Sequence, residues 1–180
     1  MRVYVLRHGT TVWNEQGRTQ GRRQNKLSDA GKQLARETAE KLKDSQIDII
    51  YASPLMRTMQ TANIINAYHG AKIIKSELLT EVDQGIFSGR IYNSLTEEEK
   101  KLKKERHPQT KMETLEQAFK RTSEFVELVL SQERHKNVLI VSHNNICSML
   151  DCIFTGMTPD FNDRTQMNSY GNAEVRMFDI

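Results

Sequence analysis

A chain of 180 residues with a hydrophobic share of 37% is long enough to bury one core and short for two, while only 9 Gly and 3 Pro exclude collagenous or low-complexity architecture. Lys and Arg total 26 against 23 Asp and Glu, and this net charge of +3 is mixed along the chain; together with an aromatic share of 7% and no stacking cluster, that argues against a nucleic-acid module. The apolar opening Met1 to Leu6 is cut short by Arg7 and His8, far below a signal h-region or a membrane span, so neither export nor membrane anchoring is expected.

Val3 to Leu6 reads as the first strand. Ser28 to Asp44 reads as a helix with Leu34, Ala35, Thr38, Ala39 and Leu42 turned inward, and Ile47 to Tyr51 as a second strand. Ser53-Pro54 offers a capping serine and a first-turn proline, which predicts a helix from there to about Tyr68. Ile73 to Lys75 reads as a third strand. Thr96 with Glu99 and Thr114 with Gln117 each match a capping box, and the second opens an amphipathic helix whose Leu115, Ala118, Phe119, Thr122, Phe125, Val126, Val129 and Leu130 recur at helical spacing. Val138 to Val141 is unbroken in its apolar character, as in a strand covered on both faces, and Asn144 to Phe154 follows as a last helix before a strand at Val175 to Phe178. The alternation predicts an α/β three-layer sandwich, a mostly parallel central sheet with helices on both faces, as a single domain over residues 1–180. Cys147 and Cys152 fall about 140° apart around one helix and form no disulfide, which fits a reducing cytoplasm.

Chemistry gathers at strand ends. The first strand runs into Arg7-His8-Gly9 and the fourth into Ser142-His143-Asn144; ligands of open α/β sheets bind outside the carboxyl ends of strands, so parallel neighbours would bring both imidazoles to one crevice. Arg57 sits early in the helix after the second strand. Taken singly, His8 and His143 read as loop histidines, Arg57 as a surface ion-pair partner and Glu81 as a solvated loop carboxylate. The run Lys100, Lys101, Lys103, Lys104 and Arg106, interleaved with glutamates, reads as a wet helix face. His69, His107 and His135 have no cysteine or carboxylate at ligand spacing, so no metal is expected. Two arginines and two histidines together would form an anion trap suited to a phosphoryl group, in which a neutral imidazole can attack phosphorus while a carboxyl moves the protons.

These residues also carry a resemblance. Arg7-His8-Gly9-Thr10-Thr11-Val12-Trp13-Asn14 resembles the signature of the histidine phosphatase superfamily, in its phosphoglycerate mutase-like branch 1. The likeness continues through Gly17 to Gly21, Leu27 to Gly31, Ser53 to Ala62, Leu79-Thr80-Glu81 with Gly85 and Gly89-Arg90, and Val141-Ser142-His143. It implies that His8 is the phosphorylated nucleophile, that Arg7, Arg57 and His143 hold phosphoryl oxygens, and that Glu81 is the proton donor and then the base for water. By the same resemblance Thr11, Asn14, Gln20 and Gly21 border the substrate, no cofactor is required, the partner is a small phosphorylated molecule, and Trp13 packs rather than binds; Asn144, which departs from the family's pattern, is expected to border the substrate through its side chain. Two departures stand out: Asn144 where glycine is common after the second histidine, and Lys26 where a proline precedes Leu27. The resemblance implies a metal-independent phosphatase, with a phosphoglycerate mutase-type phosphotransferase as the alternative and a non-catalytic phospho-ligand module as a further one. Tyr92 to Thr114 offers the only room for a cover over the pocket, and it is short and charged. Which strands are neighbours, the oligomeric state and the physiological substrate are not set by these patterns.

Overall fold

The computed structural model describes residues 1–133, 136–161, 163 and 167–180; His135 lies outside them. Five strands, β1 (Arg2–Arg7), β2 (Ile49–Ala52), β3 (Lys72–Lys75), β4 (Val138–Ser142) and β5 (Val175–Asp179), form one sheet in the order β3-β2-β4-β1-β5. All neighbours are parallel except β1 and β5, which run antiparallel. The helices are α1 (Val12–Glu15), α2 (Asp29–Leu42), α3 (Met56–Asn66), α4 (Glu97–Lys104), α5 (Leu115–Leu128) and α6 (Asn144–Thr155).

Side chains of a strand alternate between faces, and each face here has its own core. Val3, Val5, Val138 and Ile140 pack with Ala118 and Phe125 of α5 and Ile146 and Leu150 of α6. Tyr4, Leu6, Leu139 and Val141 pack on the other side with Ala39 and Leu42 of α2 and Ala62 and Ile65 of α3. This is the expected three-layer α/β architecture. The capping boxes at Thr96 and Thr114 both form, and Ser28 caps α2 by accepting from the Gly31 amide.

One start signal is misread by local chemistry. The helix after β2 begins at Met56 with Leu55 as its uncapped first flank, not at Ser53-Pro54. Ser53 continues the strand by donating its amide to Val141 O (3.1 Å), and its hydroxyl bonds the His143 ring at 2.8 Å. Likewise β2 starts at Ile49 rather than Ile47, and the short α1 was not expected.

The turn after β1 lies against the first turn of α2. Thr10 O accepts the Ser28 amide (3.0 Å), and a Cβ on Gly31 would stand 1.8 Å from that same oxygen. No side-chain rotation relieves a clash between Cβ and a carbonyl, so Gly31→Ala must push α2 off the His8–Thr10 turn. A loss of about 1–3 kcal/mol in urea unfolding is expected; unchanged stability would contradict this close approach.

Candidate active site

Register alone brings the histidines together. Arg7 of β1 pairs with Ser142 of β4, and the His8 amide donates to Ser142 O (3.0 Å), so the two chains leave the sheet side by side. The His8 and His143 ring centroids are 5.2 Å apart, edge to face. The end of β2 joins them through Ser53.

Each ring has its proton position dictated by a partner. His8 Nδ1 lies 2.7 Å from Gly9 O, which can only accept, so Nδ1 carries the hydrogen and Nε2 keeps its lone pair. His8 Nε2 and His143 Nδ1 both accept from the Nε–H of Arg57, each at 3.2 Å. His143 therefore carries its hydrogen on Nε2, which donates to Ser53 Oγ. Arg57 is fully buried, 0% exposed, and the other side of its guanidinium is held by Gly21 O (2.8 Å) and Arg23 O (3.0 Å). Gly21 adopts φ +52° to present that carbonyl, a conformation that disfavours any side chain.

Arg7 reaches Tyr170 O with one terminal nitrogen, while its buried Nε has no partner among the described residues. A buried guanidinium N–H left open is costly and marks a place for an anion. Glu81 Oε1 accepts from the Val82 amide (2.8 Å) and from Asn145 Nδ2 (3.2 Å); Oε2 accepts no hydrogen bond among the described residues. Ser142 Oγ donates to Leu79 O and so fixes the loop that carries Glu81. Asn14 Oδ1 accepts from both the amide and the hydroxyl of Thr11, leaving its amino group to donate elsewhere.

The pocket so formed, about 230 Å³, is bordered by Arg7, His8, Asn14, Gln20, Gly21, Arg57 and Glu81, together with Arg18, Thr19, Gln84 and Asn145. Gln20 Oε1 is buried there and accepts nothing among the described residues. Two of the expected substrate-border residues are not at the pocket. Thr11 is fully buried as the cap of α1. Asn144 turns away: its Oδ1 accepts from Ser169 Oγ (3.0 Å) and the Tyr170 amide (2.9 Å), tying α6 to the chain that supports Arg7. Trp13 packs over Gly89. His69 and His107 stand apart from the pocket, the latter heading a short 3-10 turn, and no group of three or more His, Cys, Asp or Glu suited to a metal occurs among the described residues.

Ser53 and Asn145 were not singled out from the sequence. Ser53 carried a capping signal that masked its ring contact. Asn145, in the first turn of the helix that follows His143, could have been found from that position alone.

Burial first and the neighbouring Arg57 cation second hold both imidazoles well below the ordinary histidine range, so both are neutral at pH 7. Burial likewise lowers Arg57 to about 10, opposed by the Glu81 carboxylate. The unfolded chain takes up protons near pH 6.5 and the folded one resists them, so stability falls as pH drops below that value by about 1.4 kcal/mol per unit and per histidine. Urea unfolding in phosphate-free buffer is expected to lose about 3 kcal/mol between pH 7.5 and 5.5. A flat profile would contradict the neutral pair.

Fold and site thus define an open α/β domain with a cation-lined crevice bordered by a neutral imidazole. The chain belongs to the histidine phosphatase superfamily (branch 1), whose sequence profile matches residues 3–180. It is 35% identical over 167 residues to the uncharacterized phosphatase PhoE of Bacillus subtilis strain 168, covering 93% of this chain and 84% of that one. Among solved structures, the alpha-ribazole phosphatase from Shigella flexneri superposes with TM-score 0.88 at 22% identity, over 100% of this chain and 91% of the other. A phosphoglycerate mutase from Bacillus anthracis strain Sterne superposes with TM-score 0.80 at 22% identity, over 98% and 86%. These structural likenesses concern the fold. Among the described residues no helix is long and apolar enough to cross a membrane.

Proposed function

We propose that this chain, acting as a single cytoplasmic domain, is a metal-independent phosphatase that hydrolyses small phosphomonoesters through a phosphohistidine on His8. The observation that carries the reading is the unprotonated His8 Nε2, held by Gly9 O on the far side of the ring and facing the pocket beside a buried guanidinium. In-line attack by that nitrogen forms the N–P bond as the ester P–O bond breaks. Arg7 and Arg57 take charge from the equatorial oxygens. His143, fully buried behind the pocket, accepts from Arg57 Nε–H and so holds that guanidinium in place.

Glu81 passes a proton to the departing alkoxide. The resulting carboxylate then takes a proton from water, whose oxygen attacks phosphorus and returns His8 to its starting state with release of phosphate. Asn14 and Gln20 border the transferred group and its ester oxygen. The pocket shares Gln84 and Asn145 with the larger groove walled by α4, an eight-residue helix, which leaves a path for the water that a phosphotransferase must exclude. This supports hydrolysis over phosphoryl return.

The test is phosphate release from p-nitrophenyl phosphate in the presence of EDTA. Release that survives chelation is expected, with an acid-labile, alkali-stable phosphoryl label trapped on the protein by rapid quenching. No release, with phosphoryl exchange between phosphoglycerates instead, would overturn hydrolysis in favour of a mutase; neither, with phosphate binding intact, would leave a binding module.

A further inference from the structure

Glu113 lies just ahead of α5 and does not border the phosphate pocket, yet its carboxylate gathers three segments of chain. Oε1 accepts from Arg121 Nε (2.8 Å); Oε2 accepts from Arg121 Nη2 (3.0 Å) and from the Asp83 amide (3.1 Å), and it pairs with Arg22 Nη2 at 3.1 Å. Resting on the phosphatase reading, we infer that Glu113 is a positioning residue of the reaction: through Arg22, Arg121 and Asp83 it fixes the backbone from which Glu81 moves its proton.

Each of the three partners grips the loop that carries Glu81. Arg121 Nη1 donates to Leu78 O (2.7 Å), Arg22 Nε donates to Glu81 O (3.2 Å), and Asp83, whose amide bonds the Glu113 carboxylate, accepts the Glu113 amide on its own carbonyl (3.2 Å). Residues 80–84 belong to no helix or strand, so no ladder holds their amides and carbonyls, although Thr80, Glu81 and Val82 are buried. Side chains take the place of the ladder. The Glu113 and Arg121 side chains are 11% and 13% exposed, and a two-point pair so shielded keeps one geometry where an exposed pair would not. Burial raises the Glu113 carboxyl, but the hydrogen bonds and charge of Arg121, the Asp83 amide and the Arg22 cation outweigh it and hold the group below the ordinary carboxylate range, so it is ionised at pH 7.

The same carboxylate reaches the other side of the pocket. Arg22 stands between Gly21 and Arg23, whose carbonyls hold the Arg57 guanidinium. Arg22 thus ties the loop of the proton donor to the loop behind the arginine that faces both imidazoles, and Glu113 is its anionic partner. A reacting group displaced by about 1 Å can cost roughly 10²-fold in rate. The dependence is selective: esters whose leaving group needs a proton rely on Glu113, and an activated aryl ester does not.

The experiment measures leaving-group release in a single turnover, the step in which Glu81 gives its proton, for glycerol 3-phosphate as an alkyl ester and p-nitrophenyl phosphate as an activated one. Glu113→Gln is expected to slow release from the alkyl ester at least about tenfold and from the aryl ester less than about threefold. Added to Glu81→Gln, it is expected to slow the alkyl reaction less than about twofold, because no proton is left to place. Arg22→Met cuts the link to Glu81 O at a side chain that is 43% exposed; it is expected to show the same pattern and stands in should Glu113→Gln fail to fold. Equal losses on both esters, or the same loss with and without the Glu81 carboxyl, would reduce Glu113 to a structural role and overturn the inference. Absence of release from either ester in the wild type would instead remove the phosphatase reading. The positioning is then judged by amide hydrogen exchange, where Glu113→Gln is expected to speed exchange at Val82 and Asp83 at least about tenfold beyond any change in β4, and a smaller difference overturns it.

Discussion

Replacing His8 by alanine is expected to lower phosphate release at least about 10⁴-fold, because the covalent route closes and the remaining arginines can only bind the ester. The phosphoryl label on the protein should vanish with it. His8 is 3% exposed and its Nδ1 hydrogen satisfies Gly9 O, so alanine also leaves a buried carbonyl without a donor, at a cost of about 1–3 kcal/mol. His8→Asn separates the two effects: its amide nitrogen can reach the same carbonyl and keep the turn, yet it has no lone pair to attack phosphorus. A His8→Asn protein that is stable but inactive is the expected result. Turnover near the wild-type rate in either variant would remove His8 from the mechanism.

Glu81→Gln is expected to slow hydrolysis of alkyl phosphates by about 10²–10⁴-fold, the usual worth of a positioned acid or base. Glutamine keeps the carbonyl oxygen that accepts from Val82 and Asn145, so the loop stays in place while the transferable proton is lost. An activated aryl phosphate needs no proton on its leaving group. It should still phosphorylate His8 quickly, and because water then lacks its base, one equivalent of p-nitrophenol should appear in a burst followed by slow turnover. Equal slowing of the burst for alkyl and aryl esters would count against the acid role.

Much of the site was legible in local pattern. Arg7-His8-Gly9 directly after an apolar strand, and Ser142-His143 after another, marked residues that the fold brings side by side, because both stand at the carboxyl ends of strands of an α/β sheet. The capping boxes at Thr96 and Thr114 formed as expected, since each is complete within four residues. Ser53 shows the limit of that logic: a serine before a proline is a sound cap signal, but the ring of His143, ninety residues away in the chain, claims its hydroxyl. Asn144 shows the same in reverse. Its place after the second histidine suggested a substrate contact, and the chain near Tyr170 takes its side chain instead.

By itself, then, the sequence determined the alternation of strands and helices, the apolar stripes of the two cores and the identity of the residues at the strand ends, all of which follow from spacing within a segment. The tertiary structure decided that β1 and β4 are neighbours, that one buried guanidinium faces both imidazoles with its back held by Gly21 and Arg23, and that Lys103 of the basic run donates to Thr19 at the pocket wall. Periodicity says which face of an element is buried, but not which element buries it. That choice rests on packing between segments far apart in the chain, and the tautomers and open donors of the site are set only once that packing is complete.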